Sequence, residues 1–337
     1  MRVLVGMSGG VDSSTACYLL KEKGFDIEGV TMLFRGVDRE DIEFAKKSCD
    51  ILGIKHNVLN FEKEYEEIII KNFIEEYRSG RTPNPCVICN ESIKFGLLME
   101  EAKRRGFDYI ATGHYAIIEE KDGIFYLKRG IDKNEQSYFL YRLKQEQLKY
   151  ILFPCGNYTK EKIREIAKRL GLPTANRKKS QDVCFLPEMD YREFLKGILK
   201  DKPGPIIKDG KVIGEHKGIS NYTYGQRKGI GISYKKPLYV IKISPEENAI
   251  YVGERKEGFK KHAIIRDINI ISPFDIEDSF LAKSRYKSEF SKATCRRIGD
   301  RVEVEFEKPQ WALTPGQSLV LFKDDYVIGG GIIEEVR

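Results

Sequence analysis

A glycine- and serine-rich turn near the start of the chain narrows the choice of fold more than any other stretch. It reads Gly6-Met7-Ser8-Gly9-Gly10-Val11-Asp12-Ser13-Ser14 and follows an apolar run, Val3-Leu4-Val5. Beyond it, Thr15 to Lys23 is amphipathic, with Ala16, Leu19 and Leu20 on one helical face. The turn therefore links a strand to a helix, the place where anion sites form in α/β proteins. Ser8, Gly9 and Gly10 can leave successive backbone N–H groups free, with no Cβ in the path of a close ligand. The helix N-terminus behind them adds partial positive charge. A phosphate group suits such a turn. No Gly-Lys-Ser/Thr follows, so it is not a Walker loop. The plain alternative is a tight turn with Asp12 or Ser13 as helix N-cap.

The alternation continues to about residue 113, the pattern of a parallel sheet covered on both faces. Asp26 to Met32 and Lys55 to Asn60 read as strands, and Tyr109 to Thr112 as another. Asp38 to Leu52 reads as a helix capped by Asp38 and closed by Gly53. Tyr65 to Tyr77 and Ser92 to Arg105 are further helices. Ligands of open α/β sheets bind beyond the carboxyl ends of the strands. That rule gathers Gly6 to Ser13, Met32 and Gly113-His114 at one edge.

Two irregular stretches carry cysteine. In Gly80-Arg81-Thr82-Pro83-Asn84-Pro85-Cys86-Val87-Ile88-Cys89-Asn90 the prolines stop helix on both sides. This loop delivers Cys86 and Cys89 near the start of the next helix, where the helix dipole stabilises a thiolate. A Cys-x2-Cys pair alone leaves zinc, redox chemistry and cluster ligation open. The second stretch holds Arg177-Lys178-Lys179 and then Ser180-Gln181-Asp182-Val183-Cys184-Phe185. A cysteine on a polar, basic loop is unusual, and basic neighbours activate a thiol. Cys17, Cys49 and Cys295 lie in apolar elements and read as buried. The aromatic group Tyr138, Phe139 and Tyr141 reads as core.

The remaining chain changes character. Asp201 to Pro205 is a linker by composition, and short strands and turns follow, with Asp209-Gly210 marking a hairpin. Tyr222 to Gly231 mixes aromatic, basic and glycine residues as an RNA-contacting loop does. Gly253 to Lys261 is a charged second linker, and Val302-Phe306, Ser318-Phe322 and Val327-Ile333 read as strands of a small antiparallel barrel. At 337 residues the chain has room for two or three domains. It carries no apolar run long enough for a membrane span and no signal-peptide pattern. A cytoplasmic location is expected, where seven cysteines serve thiol chemistry, metal ligation or burial and not a disulfide framework. The net charge of +7, from 58 basic against 51 acidic residues, is a mild excess compatible with a nucleic-acid face.

Ser8-Gly9-Gly10-Val11-Asp12-Ser13 resembles the signature loop of the N-type ATP pyrophosphatases, which split ATP between its α and β phosphates. The whole chain resembles the tRNA-specific 2-thiouridylases. The matching blocks include Gly80 to Pro85, Cys89-Asn90 with Ile93-Lys94-Phe95, Ala111 to Tyr115, and Gln136 to Leu140. They continue with Ser180 to Phe185, Tyr222-Thr223 with Gly225-Gln226-Arg227, Thr314 to Gln317, and Gly329-Gly330-Gly331. The resemblance implies an α/β parallel-sheet nucleotide-binding domain (adenine nucleotide α-hydrolase-like) over 1–200. A small, mostly β central domain at 201–258 and a C-terminal antiparallel β-barrel at 259–337 would follow. The implied activity is ATP-dependent conversion of the C2 oxygen of a wobble uridine in tRNA to sulfur.

By the same resemblance Gly6, Met7, Ser8, Gly9, Gly10, Val11, Asp12, Ser13, Met32 and Gly113 hold ATP, with Asp12 helping to place Mg²⁺. Asn84, Pro85 and Cys86 flank the target base. His114, Asn134, Glu135, Gln136, Arg285, Tyr286 and Gln317 touch tRNA. Cys89 is the nucleophile and Cys184 carries persulfide sulfur, supplied by a donor such as a cysteine desulfurase or a sulfur-relay protein. Two departures from the family pattern stand out. Cys86 occupies a position where many members carry Asp, and Asn134-Glu135-Gln136 stands where Lys-Asp-Gln is usual. The first opens a second reading, in which Cys86, Cys89 and Cys184 ligate a [4Fe-4S] cluster with one iron free for sulfide. Two rivals to thiolation are an amide-forming, AMP-releasing synthetase and a non-catalytic RNA-binding protein on the same fold.

Overall fold

The protein is described by a computed structural model covering residues 1–177, 183–186, 189–272 and 279–337. Lys178-Lys179 and Ser180-Gln181-Asp182, singled out in sequence, lie outside the described residues.

The first element is strand β1 (Arg2–Gly6), followed by helix α1 (Val11–Glu22), β2 (Asp26–Leu33), α2 (Arg39–Leu52) and β3 (Lys55–Asn60). Next, α3 (Glu62–Tyr65), a π-helical turn (Glu66–Ile70) and α4 (Lys71–Arg78) run on as one helix. A second composite helix follows: α5 (Pro85–Cys89), a π-helical stretch (Asn90–Leu97) and α6 (Leu98–Arg104). Strands β4 (Tyr109–Ala111), β5 (Ala116–Lys121), β6 (Ile124–Arg129) and β7 (Ile151–Leu152) come next, with α7 (Gln145–Leu148) ahead of the last. Then come α8 (Lys160–Arg169) and α9 (Tyr191–Leu195). A five-stranded sheet runs in the order β3-β2-β1-β4-β7, and every pairing in it is parallel. Side chains alternate across a strand. Leu4 and Val30 therefore enter the core under α4 and α6, while Val3 and Val5 enter the core under α1, α2 and α8. Burial on both faces is what a parallel sheet requires.

The capping chemistry read from the sequence is present. Asp38 accepts the Asp41 N–H at 2.8 Å, Asp41 returns the bond, and Gly53 closes α2 at φ 63. One boundary differs. The second composite helix begins at Pro85, so Cys86 and Cys89 lie within it and not on a loop ahead of it. Proline at the first helical position has no N–H to lose and a φ already suited to helix, so here it starts a helix where it was expected to prevent one.

The central domain is a four-stranded sheet ordered β10 (Tyr239–Ser244), β11 (Ala249–Gly253), β8 (Gly204–Lys208), β9 (Lys211–His216). The C-terminal part closes as a six-stranded barrel. Its strands are β12 (Phe259–Ile270), β13 (Ser279–Lys283), β14 (Ser291–Ile298), β15 (Arg301–Trp311), β16 (Ser318–Lys323) and β17 (Tyr326–Val336), with β12 paired to both β15 and β17. Along β16, Leu319 and Leu321 point into the barrel, and Val320 and Phe322 point out into the core of the N-terminal domain. The β5–β6 hairpin adds to the barrel's edge through Lys128 opposite Tyr326. The barrel thus keeps its own interior core while its outer face packs into the core of the N-terminal domain.

Candidate active site

The phosphate-type loop is built as a held turn. Gly10 is the N-cap of α1, in extended conformation and without side-chain capping, so Asp12 and Ser13 stand inside the helix and do not cap it. Ser13 Oγ accepts the Ser8 N–H at 3.2 Å and donates to Gly10 O at 3.1 Å. The Ser8 amide is therefore engaged, where the sequence suggested a free donor. Gly9 has φ 67, and a Cβ there would sit 2.4 Å from the carbonyl oxygen of Asp41. Arg177 fastens the same point: Nη1 donates to Gly9 O at 3.0 Å and to Asp41 Oδ1 at 2.6 Å, with the guanidinium over the Phe44 ring. Gly113 presses on the first turn of α1, where a Cβ would fall 2.7 Å from Ser13 N.

Asp12 is paired. Lys160 Nζ lies 2.6 Å from both carboxylate oxygens, and Tyr115 Oη donates to Oδ1 at 2.6 Å. Sequence reading missed Lys160. The signal was a cation at the first position of α8, which opposes the helix dipole and needs an anionic partner. Asp132, itself buried, fixes that lysine's backbone N–H at 2.7 Å and takes two bonds from Asn134, at 2.7 and 2.9 Å.

A cavity of about 190 Å³ opens on this loop. Gly6, Met7, Ser8, Asp12, Ser13, Met32 and Gly113 line it, together with Phe34, Lys94, His114 and Gln136. Gly9, Gly10 and Val11 complete the turn. Lys94 is the second residue that sequence reading left without a role. It sits between the fully buried Ile93 and Phe95, an unusual place for a lysine. His114 and Gln136, expected on tRNA, are cavity-wall residues. His114 Nδ1 is 2.7 Å from Thr112 Oγ1, and the ring packs on Phe95 and Phe153. Burial, aided by Lys94, holds its pKa well below the usual histidine value, so it is a neutral hydrogen-bonding group. Gln136 Oε1 accepts the Tyr115 N–H at 3.1 Å.

The cysteines gather beside this cavity. Cys184 is exposed, Cys86 half-buried and Cys89 buried. Burial pushes the Cys86 thiol up to about 11 and Cys89 up to about 12, which Lys94 partly offsets and a charge on Cys184 reinforces. The sequence expectation that the helix N-terminus lowers these pKa values is corrected: desolvation outweighs the dipole. Tyr65 Oη lies 3.2 Å from Cys184 Sγ. Among the described residues no three His, Cys, Asp or Glu side chains converge as a metal-binding group. As placed, the three cysteines do not form a ligand set for an iron–sulfur cluster.

The remaining predicted residues lie at the junction with the barrel. Asn84 is the N-cap of α5 and Pro85 its first residue. Gln317 Nε2 donates to Thr82 O at 3.0 Å and to Pro83 O at 2.9 Å, and the Thr82 N–H donates to Pro315 O. Arg285 Nη2 donates to Ala312 O at 2.9 Å, to Tyr224 O at 3.3 Å and to Thr314 Oγ1. Tyr286 packs on Phe139 with ring centroids 4.6 Å apart. Glu135 is buried, accepting the Ser137 N–H at 2.9 Å and facing Arg129 Nε at 3.6 Å.

Three family profiles match the chain end to end. They are described as a tRNA methyl transferase HUP domain (residues 1–188), a tRNA methyl transferase PRC-barrel domain (192–254) and an aminomethyltransferase beta-barrel domain (260–333). A tRNA-specific 2-thiouridylase MnmA 1 of Caldanaerobacter subterraneus subsp. tengcongensis is 48% identical, covering 99% of this chain and 98% of that one. The tRNA-specific 2-thiouridylases of Clostridium perfringens and Clostridioides difficile are 45% and 44% identical, each over 99% of this chain and at least 98% of theirs. With a loop-bound cavity, a paired aspartate and three neighbouring thiols already assembled, these matches over full length place the chain in the tRNA-specific 2-thiouridylase family.

Proposed function

We propose that this chain is the ATP-dependent tRNA-uridine 2-sulfurtransferase, acting on wobble uridines through domains spanning 1–200, 201–258 and 259–337. One observation carries the reading: Lys94 lines the loop cavity at Asp12 and also faces the Cys89 thiol, which in turn lies within electrostatic reach of Cys184, so a nucleotide and a sulfur carrier share one site. The C2 oxygen of uridine attacks the α-phosphorus of ATP and pyrophosphate leaves, with loss of the N3 proton. Gly9, Gly10 and the start of α1 hold the leaving phosphates. Lys160 and Lys94 neutralise their charge. Asp12 would hold Mg²⁺ through Oδ2, whose only hydrogen-bond partner among the described residues is Lys160, and the ion would supply further charge neutralisation.

The terminal sulfur of a Cys184 persulfide then adds to C2, and AMP leaves with the original oxygen. Cys89 sulfur attacks Cys184 Sγ, forming a disulfide, and the S–S bonding pair goes to the sulfur now on C2. The Cys89 proton returns to N3. A dithiol reductant restores both cysteines, and a persulfide-bearing protein reloads Cys184. No step passes through an iron–sulfur cluster. Asn84 and Cys86 flank the base, while Tyr286, Arg285 and Gln317 form the tRNA-facing junction.

The test is pyrophosphate release and 2-thiouridine formation on cognate tRNA, with a sulfide donor, for the wild type and Cys184→Ser. Pyrophosphate release that depends on tRNA, with thiolation lost in the variant, supports the reading. Release without tRNA favours an amide-forming synthetase. No release favours an RNA-binding protein. Iron and sulfide bound after anaerobic reconstitution would restore the cluster route.

A further inference from the structure

We propose that Tyr65 is a positioning residue for sulfur transfer: its phenol holds Cys184 Sγ in line for attack by Cys89. The assignment rests on the thiolation chemistry proposed above. Tyr65 is 1% exposed, and its Oη lies 3.2 Å from Cys184 Sγ. A buried tyrosine hydroxyl requires a partner. A thiol sulfur is a weak acceptor, and it gains strength as an acceptor when it carries negative charge.

The ring is fixed independently of that bond. It stacks on Phe34 with centroids 4.4 Å apart and planes 3° from parallel, and meets Phe185, the residue after Cys184, edge-on. The backbone of Gly36 closes on Cys184 so tightly that a Cβ there would come within 2.1 Å of the Cys184 carbonyl oxygen. Phe34 also lines the nucleotide cavity, so one short segment touches the cavity, the tyrosine and the sulfur carrier. Burial and the nearby thiols of Cys184, Cys89 and Cys86 push ionisation of the phenol far up, which keeps it a donor.

In the transfer step the S–S bond between Cys184 Sγ and the migrating sulfur breaks as Cys89 bonds to Sγ. The tyrosine neither gains nor loses a proton. It fixes the direction of Sγ, and its O–H stabilises negative charge on the persulfide. Tyr65→Phe keeps the ring packing and removes only the hydroxyl. In single turnover with persulfide-loaded enzyme, 2-thiouridine formation is expected to fall roughly tenfold, the scale of one charge-assisted hydrogen bond. The tRNA-dependent pyrophosphate release and the KM for tRNA should stay within about twofold, because the hydroxyl bonds Cys184 and Tyr65 does not line the nucleotide cavity. Thiolation at the wild-type rate overturns the assignment. So does a parallel fall in pyrophosphate release and thiolation, which marks a structural tyrosine. The wild type run alongside reports separately on the chemistry beneath: if it forms no 2-thiouridine, that reading fails and this assignment with it.

Discussion

At the scale of single residues, burial sets the order in which the thiols react. Only the thiolate is nucleophilic, and burial holds Cys89 up to about 12 and Cys86 up to about 11. Both are neutral at pH 7.5 and ionise only as the pH rises toward those values. Iodoacetamide at pH 7.5, read by peptide mass spectrometry, should modify exposed Cys184 first and leave Cys89 largely protected. Raising the pH to 9.5 should accelerate modification of Cys89 strongly, because its thiolate fraction grows as the pH climbs toward its raised pKa. Equal labelling of both at pH 7.5 contradicts this. The charge on Asp12 has its own test. Lys160→Met leaves a half-buried carboxylate without its cation. Nucleotide binding, measured by calorimetry, should weaken by about tenfold or more, and stability should drop by about 1–3 kcal/mol. Neither Lys160 nor Lys94 was legible as a site residue. A single sequence shows a lysine's neighbours along the chain, and both lysines meet their partners only through the fold. Tyr65 was hidden in the same way: it reads as one apolar position of an amphipathic helix, and Cys184 lies 119 positions away.

At the scale of elements, most of the catalytic domain was legible. β3 was read with its full extent, and the α2 cap and stop were read by residue. These elements follow local rules: hydroxyl or carboxylate at the cap, glycine where φ turns positive, and alternation along the strand. The start at Pro85 was misread because proline both ends and begins helices, and only the preceding chain direction decides which. The phosphate loop was legible as a loop but not as a braced one. Arg177 and Asp41 hold it from elements distant in sequence. Gly9→Ala combines an unfavourable φ with a contact to backbone, which cannot swing away as a side chain could. ATP binding should be lost or weakened by at least about a hundredfold, while far-ultraviolet circular dichroism stays that of the wild type. Binding within a few-fold of wild type would show that the turn relaxes without consequence. Gly123→Ala, at a hairpin turn with open space around it, is the control for strain alone.

At the scale of the whole molecule, the barrel meets the first domain through an apolar face and a set of polar contacts, while the central domain keeps an apolar core of its own. Domain order was legible from the change in pattern after residue 200, but the joint was not. The β5–β6 hairpin is local in sequence, and nothing in it announces that it pairs with β17 of the barrel. Likewise Gln317 and Arg285 were expected, from the resemblance, only to touch tRNA, and no role at a domain joint was read for them. Instead Gln317 holds the carbonyls of Thr82 and Pro83, immediately before Asn84 and the cysteine helix. Arg285 ties the central domain, through Tyr224, to the barrel, through Ala312 and Thr314. Burial lowers the pKa of this arginine, whose bonded partners here are carbonyls and a hydroxyl. A half-buried guanidinium bonded to carbonyls orients the pieces it joins, because its donors form a rigid fork. Arg285→Met should therefore cost about 1–3 kcal/mol by removing three hydrogen bonds, a fall of roughly 2–8 °C in melting temperature. The loss should also loosen the central domain from the barrel, so the calorimetric transition broadens or splits. The KM for tRNA should rise several-fold while ATP binding in the absence of tRNA is unchanged, since the nucleotide cavity lies wholly within the first domain. A variant that melts as one sharp transition at the wild-type temperature and keeps the wild-type KM for tRNA would show that the remaining contacts hold the junction without Arg285.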